Sequence, residues 1–143
     1  MKTVDELTDL FRDQGLRVTP QRQAIFRLLQ GNGAHPTVEA LYESARGDMP
    51  TISLKTVYQT VHDLESMGQV ELIHLGTGSV RVDPNVEHAH HHLVCTVCGR
   101  VRDVLVDVSN LNVPAQERRG FTVSDVEVSF RGVCDDCAAG KVS

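Results

Sequence analysis

The stretch SLKTVYQTVHDLESMGQVELIHLGTGSVRV, residues 53–82, changes its hydrophobic period halfway along. In its first part Val57, Val61, Leu64 and Met67 recur at helical spacing, with Pro50, Thr51 and Ser53 preparing the start and Gly68 closing the run. In its second part Val70–His74 and Ser79–Val82 flank Gly76-Thr77-Gly78, which is the pattern of a hairpin. The polar face of the helix carries Lys55, Gln59, Thr60 and His62.

Upstream, three more helices are predicted. Val4, Leu7, Leu10 and Phe11 define the first, over about residues 3–14, with Gly15 as its stop. Thr19-Pro20 opens the second as N-cap and first helical residue, and Ile25, Leu28 and Leu29 line its face as far as Gly31. After the break at His35-Pro36-Thr37, the residues Val38, Leu41 and Tyr42 mark a third helix ending near Gly47. Helices followed by a hairpin make a winged helix-turn-helix, whose last helix enters the DNA major groove. Ser53 to Gln59 would then form the reading edge. A plain α+β interaction domain fits the same pattern.

Downstream of Pro84-Asn85-Val86-Glu87, a polar and proline-marked hinge, the pattern is mostly strand. His90–Thr96, Val101–Asp107 and Phe121–Val133 read as strands, and Val113-Pro114 opens a short helix toward Arg119, with Gly120 as its stop. The expected organisation is therefore α+β, with residues 1–83 as the winged-helix domain, 84–87 as hinge and 88–143 as a small α/β domain. So small a second domain needs support from metal and from a partner subunit.

The chain has 143 residues, 41% of them hydrophobic, and a formal net charge of -5. It contains no internal repeat, no secretory h-region and no run that spans a bilayer, so a cytoplasmic protein without a membrane partner is expected. The acidic balance speaks mildly against nucleic acid, which makes the placement of Arg17, Arg22, Arg27, Lys55 and Arg81 decisive.

All four cysteines stand in two Cys-x-x-Cys pairs, Cys95/Cys98 and Cys134/Cys137. Reduced thiols at this spacing offer zinc a closed tetrahedron, which is structural and not catalytic. The run His88-Ala89-His90-His91-His92 precedes the first pair. On a strand His90 and His92 share one face and His91 takes the other. Asp103, on the following strand, can pair back toward those imidazoles, and such mixed nitrogen and oxygen donors suit iron(II), manganese(II) or zinc. A solvated polar strand with an exposed carboxylate is the plainer alternative. A hydrolytic metalloenzyme would need a base beside the histidines, and Glu87 is the only nearby candidate. A metal-buffering or protein-interaction module is a third reading.

Five motifs carry a resemblance: Arg17-Val-Thr-Pro-Gln-Arg22, Ala34-His35-Pro-Thr37, Ser53-Leu-Lys-Thr-Val-Tyr58 followed by Leu64, His90-x-His92-Leu-Val-Cys95-x-x-Cys98-Gly99, and Gly132-Val-Cys134-x-x-Cys137. From Gly15 to Cys137 the chain resembles the ferric uptake regulator family of metal-dependent bacterial repressors. The resemblance implies a homodimer on a double-stranded DNA operator, with a C-terminal dimerisation domain hinged near residue 84. It implies regulatory ligands at His35, Asp83, His90, His92 and Asp103, beside a structural Zn2+ on Cys95, Cys98, Cys134 and Cys137. It places Lys55 and Tyr58 on the recognition helix and Arg22 at the phosphate backbone; Gln59 departs from the residue seen there in relatives, and Arg17, Thr56 and Gln59 complete the expected DNA contacts.

Aspartate at both 83 and 103 resembles the peroxide-sensing members, whereas iron-sensing members commonly carry glutamate there. The implied regulatory ion is Fe2+ or Mn2+, and with iron bound, peroxide would oxidise His35 or His90 and release DNA. Iron, manganese or nickel uptake regulation is the alternative, the last through His88 and His91. No cysteine precedes Cys95, unlike in zinc sensors, and Ser124–Glu127 lacks the histidine of the iron regulators' additional site.

Overall fold

The computed structural model describes residues 1–74, 76, 78–88 and 90–141. Two compact units make up the chain, Met1–His88 and Ala89–Ser143. Their secondary structure is α+β, as expected.

The first unit contains α1 (Val4–Asp13), α2 (Pro20–Leu29), α3 (Val38–Asp48), α4 (Leu54–Ser66), β1 (Glu71–Ile73) and β2 (Arg81–Asp83). Each helix begins on a hydroxyl that accepts from an otherwise unpaired backbone N–H: Thr3, Thr19, Thr37 and Ser53. At α1 the cap is reciprocal, because Thr3 N–H donates to Glu6 Oε2 at 2.8 Å, and those bonds hold the Glu6 carboxyl below its ordinary range. The apolar faces of the four helices meet in one core of Leu7, Phe11, Ile25, Phe26, Leu29, Leu41, Val57 and Leu64, all nearly or fully buried. Phe11 and Phe26 meet edge to face at 4.9 Å. Burial of each large side chain stabilises by about 1.5–3 kcal/mol.

β1 and β2 pair antiparallel, Leu72 opposite Val82. The expected turn between them centres on Thr77, which lies outside the described residues. β2 is also fastened upstream, where Val82 N–H donates to the Pro36 carbonyl at 2.9 Å and Arg81 Nη1 to the His35 carbonyl at 2.9 Å.

The second unit holds a three-stranded sheet in the order β4-β3-β5, formed by β3 (His91–Cys95), β4 (Val101–Val104) and β5 (Ser129–Gly132), together with α5 (Ala115–Arg118) and α6 (Asp135–Ala138). β4 pairs antiparallel and β5 parallel to β3. All three expected strands are shorter than predicted, the first by one residue at each end. The second ends at Val104 instead of Asp107, and the third begins at Ser129 instead of Phe121. Leu105 and Phe121 are about four-fifths exposed, at 83% and 79%, so these apolar residues have strand propensity but no neighbouring strand within the described chain. The helix α6 was not anticipated. It starts at Cys134 and places Cys137 one turn later, so the second cysteine pair sits on a helical turn.

Candidate metal centres and basic face

Each cysteine pair is presented by a tight backbone feature of the second unit. The chain turns after β3 through Gly99, which adopts φ 75 and donates its N–H to the Cys95 carbonyl at 2.9 Å. That left-handed conformation suits glycine, the residue following the first pair. The second pair sits at the start of α6, and Cys134 N–H donates to Cys95 Sγ at 3.3 Å. No disulfide links the cysteines, and their four sulfurs lie within 4.8 Å of one another. Cys98 Sγ and Cys134 Sγ are 3.8 Å apart. Zinc–sulfur bonds of ~2.3 Å give a tetrahedral edge of about 3.8 Å, so the cluster fits a closed tetrathiolate ion site.

The thiols are not equivalent. Hydrogen bonds from the backbone of Cys98 and Cys134 bring Cys95 down to about 6, whereas burial, with the neighbouring sulfurs, pushes Cys137 up to about 12. Cys95 is thus available as a thiolate near neutrality, whereas Cys137 must give up a proton to bind a cation.

Further along the same sheet, the β3–β4 register sets His92 opposite Asp103. His90 Nε2 and His92 Nε2 stand 3.4 Å and 3.6 Å from Asp103 Oδ1, and the imidazoles meet edge to face at 4.9 Å. His91 turns to the other side, where its Nδ1 accepts the Val128 N–H at 3.2 Å. The alternation expected from a strand therefore brings His90, His92 and Asp103 together and excludes His91.

The first unit has an imidazole–carboxylate pair of its own. His35 Nε2 lies 3.4 Å from Asp83 Oδ2, with both side chains buried. His35 holds φ 51, a left-handed conformation that is uncommon outside glycine. The bonds from Arg81 and Val82 to the carbonyls of His35 and Pro36 over-determine that loop, so the strained residue stays in place. Asp83 is held in turn, its Oδ1 accepting the Asn85 N–H at 2.8 Å. Nitrogen and carboxylate donors of this kind fit a divalent first-row ion in either unit.

The expected DNA contacts divide into two groups. Arg17, Arg22, Lys55, Thr56 and Gln59 border one shallow depression of about 310 Å³, completed by Thr19 and Gln21. Arg22 is nonetheless largely engaged within the unit. Its Nη2 pairs with Asp63 Oδ2 at 3.0 Å, and its guanidinium lies 5.3 Å from the centroid of the Phe11 ring. Tyr58 is exposed on α4 and donates its hydroxyl to Glu39 Oε1 at 2.7 Å, which raises the phenol above its ordinary range. Neither Arg27 nor Arg81 borders the depression, and Arg81 belongs to the His35 loop. Sequence reasoning missed Asp63 and Glu39, the acidic partners of the two most prominent expected contacts. Only Asp63 had a local signal, lying four residues after Gln59, whose Nε2 donates to Asp63 Oδ1 at 3.1 Å.

The sequence model of the ferric uptake regulator family matches residues 13–131. The chain is similar to the peroxide-responsive repressor PerR of Staphylococcus aureus, being 33% identical over 135 residues that cover 94% of this chain and 90% of that protein. Among solved structures it shares its fold with the Helicobacter pylori ferric uptake regulator Fur, with a TM-score of 0.79 at 18% identity, covering 96% of this chain and 97% of that one. A zinc-bound manganese uptake regulator is similar at a TM-score of 0.71 and 30% identity, over 93% of this chain and 99% of that one.

Proposed function

Because this chain belongs to the ferric uptake regulator family, we propose that it is a homodimeric repressor that grips double-stranded operator DNA when metal is bound and releases it on exposure to peroxide. Family membership makes it a metal-responsive transcriptional regulator and not an enzyme, so the hydrolase reading built on Glu87 is set aside.

The observation that carries the reading is that each unit has its own imidazole–carboxylate set, His35 with Asp83 in one and His90 and His92 with Asp103 in the other. In this proposal all five are ligands of one regulatory ion, Fe2+ or Mn2+. Shared ligation ties the units together and selects the arrangement in which both winged helices of the dimer meet successive grooves. By linkage DNA tightens metal binding by the same factor. A structural Zn2+ on Cys95, Cys98, Cys134 and Cys137 supports the small second unit.

In the first unit α4 is the recognition helix and the β1–β2 hairpin the wing. Arg17, Lys55, Thr56 and Gln59 meet the DNA from the depression, Tyr58 reads bases, and Arg22 braces α2 against α4. The partner is a second copy. Exposed Leu105, Leu111, Val113, Phe121 and Val123 support its docking on the second unit. Among the described residues no helix is long and apolar enough to cross a membrane. Thiols reserved for a metal and a DNA operator as partner both support a cytoplasmic location.

Peroxide sensing is supported by aspartate at 83 and 103 and by the similarity to PerR. Bound iron(II) supplies redox chemistry toward peroxide that manganese(II) does not, and His35 and His90 are the side chains that would gain oxygen. Regulation of iron or manganese uptake is the second reading, favoured by the 30% identity to a manganese uptake regulator. The nickel variant is weakened, because His91 Nδ1 is used by the Val128 N–H. Iron-loaded and manganese-loaded protein, each exposed to peroxide on operator DNA, separate the readings. DNA release with a one-oxygen mass gain on peptides containing His35 or His90, in the iron form only, is expected. Equal behaviour of the two forms, or oxygen on cysteines alone, would transfer the protein to metal uptake control.

A further inference from the structure

We propose that Glu127 is a positioning residue for His92, holding that imidazole through Nδ1 while Nε2 is turned to the metal donors. The inference rests on the regulatory site proposed above, but uses residues of the second unit alone.

The argument begins at Val128, just before β5. Its N–H donates to His91 Nδ1 at 3.2 Å and its carbonyl accepts the His92 N–H at 3.2 Å. Residue 128 is therefore clipped to β3 from both sides, and this gives buried His91 a task outside the donor set. The clip fixes where its neighbour Glu127 can stand. Glu127 Oε1 lies 3.9 Å from His92 Nδ1, on the opposite edge of the ring from Asp103 Oδ1, which is 3.6 Å from Nε2.

His92 is thus spanned by two carboxylates, one at each nitrogen. An imidazole that gives one nitrogen to a metal keeps its proton on the other, and a carboxylate there fixes the tautomer, orients the ring and raises ligand basicity. The Glu127 side chain is 54% exposed against 2% for His92, so the carboxylate has room for the small rotation that closes the remaining distance to a hydrogen bond. Glu127 lies in the segment 124–127, which lacks the histidine of the iron regulators' additional site. Here that segment supplies a support for a ligand and not a ligand.

The test uses the full-length, zinc-loaded chain and manganese(II) alone as probe, comparing the parent with Glu127→Gln, Glu127→Ala and His92→Ala. Manganese affinity is measured by calorimetry, and the His92 tautomer by nitrogen NMR before manganese is added. Glu127→Ala should weaken manganese binding roughly 10–100-fold and lose the preference for the Nδ1–H tautomer, at unchanged zinc content and circular dichroism. Glu127→Gln, whose amide oxygen still accepts the hydrogen bond, should restore most of both. Unchanged affinity and tautomer in Glu127→Ala, while His92→Ala abolishes binding, would overturn the role of Glu127 and leave the site standing. A glutamine variant as weak as the alanine variant would also overturn it, by making Glu127 a direct ligand. If His92→Ala binds manganese as well as the parent, the regulatory site itself fails.

Discussion

Arg22 and Asp63 join α2 to α4 through a 3.0 Å ion pair in which both side chains are about 85% withdrawn from solvent, at 16% and 15% exposure. The same carboxylate accepts from Gln59, and the guanidinium covers Phe11. A residue expected to hold a DNA phosphate thus also braces the helix that would read the DNA.

Arg22→Ala should therefore lower stability as well as DNA affinity. Losing the ion pair and leaving the Asp63 carboxylate partly buried without it costs about 1–3 kcal/mol. A double-mutant cycle with Asp63→Ala, followed by thermal denaturation, should return a coupling energy of that order. Additive effects on melting would mean that Arg22 serves the DNA alone.

Tyr58 and Glu39 make a second coupling, between α4 and α3. The hydrogen bond to Glu39 raises the Tyr58 pKa, so its contribution to stability is complete below the ordinary phenol value of ~10 and is lost as pH rises through the folded value. Glu39→Ala should bring the phenol back toward its ordinary range in an absorbance titration. It should also broaden sequence preference in binding assays on matched and scrambled operators, because the ring loses its fixed direction. A change in overall affinity with unaltered preference would remove Tyr58 from base reading.

The unequal thiols predict how zinc binding depends on pH. Cys95, held to about 6, enters as a thiolate near neutrality, whereas Cys137, pushed up to about 12, must give up a proton. The thiolate's stabilisation is present above the ordinary thiol range and disappears as pH falls through about 6, so zinc affinity rises with pH. Calorimetry at pH 7 in buffers of different ionisation enthalpy should count some protons released per zinc, but fewer than the number of thiols. Stripping the zinc should unfold the sheet built on β3 before the helices of the first unit. Release of a proton from every thiol would contradict the depressed Cys95.

Much of this arrangement was readable from local sequence. Thr19-Pro20 and the Val57, Val61, Leu64 series carry caps and periods that act within one helix, and they placed α2 and α4 correctly to within a few residues. Strand alternation separated His91 from His90 and His92, and a short antiparallel return is enough to bring Asp103 opposite His92. What escaped depends on distant pairing. Glu127 approaches His92 only because β5 runs parallel to β3, and Asp63 meets Arg22 only because two helices pack. The segment 121–127 has the composition of a strand, but hydrogen-bonding requires a neighbour that composition cannot supply.

The central claim is that ligands from both units serve one regulatory ion and that this ion controls DNA binding. A manganese titration of operator binding, followed by fluorescence anisotropy, should be carried out on the parent, on Asp83→Ala from the first unit and on His92→Ala from the second. The account predicts that the parent gains sequence-specific, saturable binding with manganese and that each variant alone loses that gain while keeping its structural zinc. Metal-independent binding by the parent, or a full response retained by either variant, would contradict it.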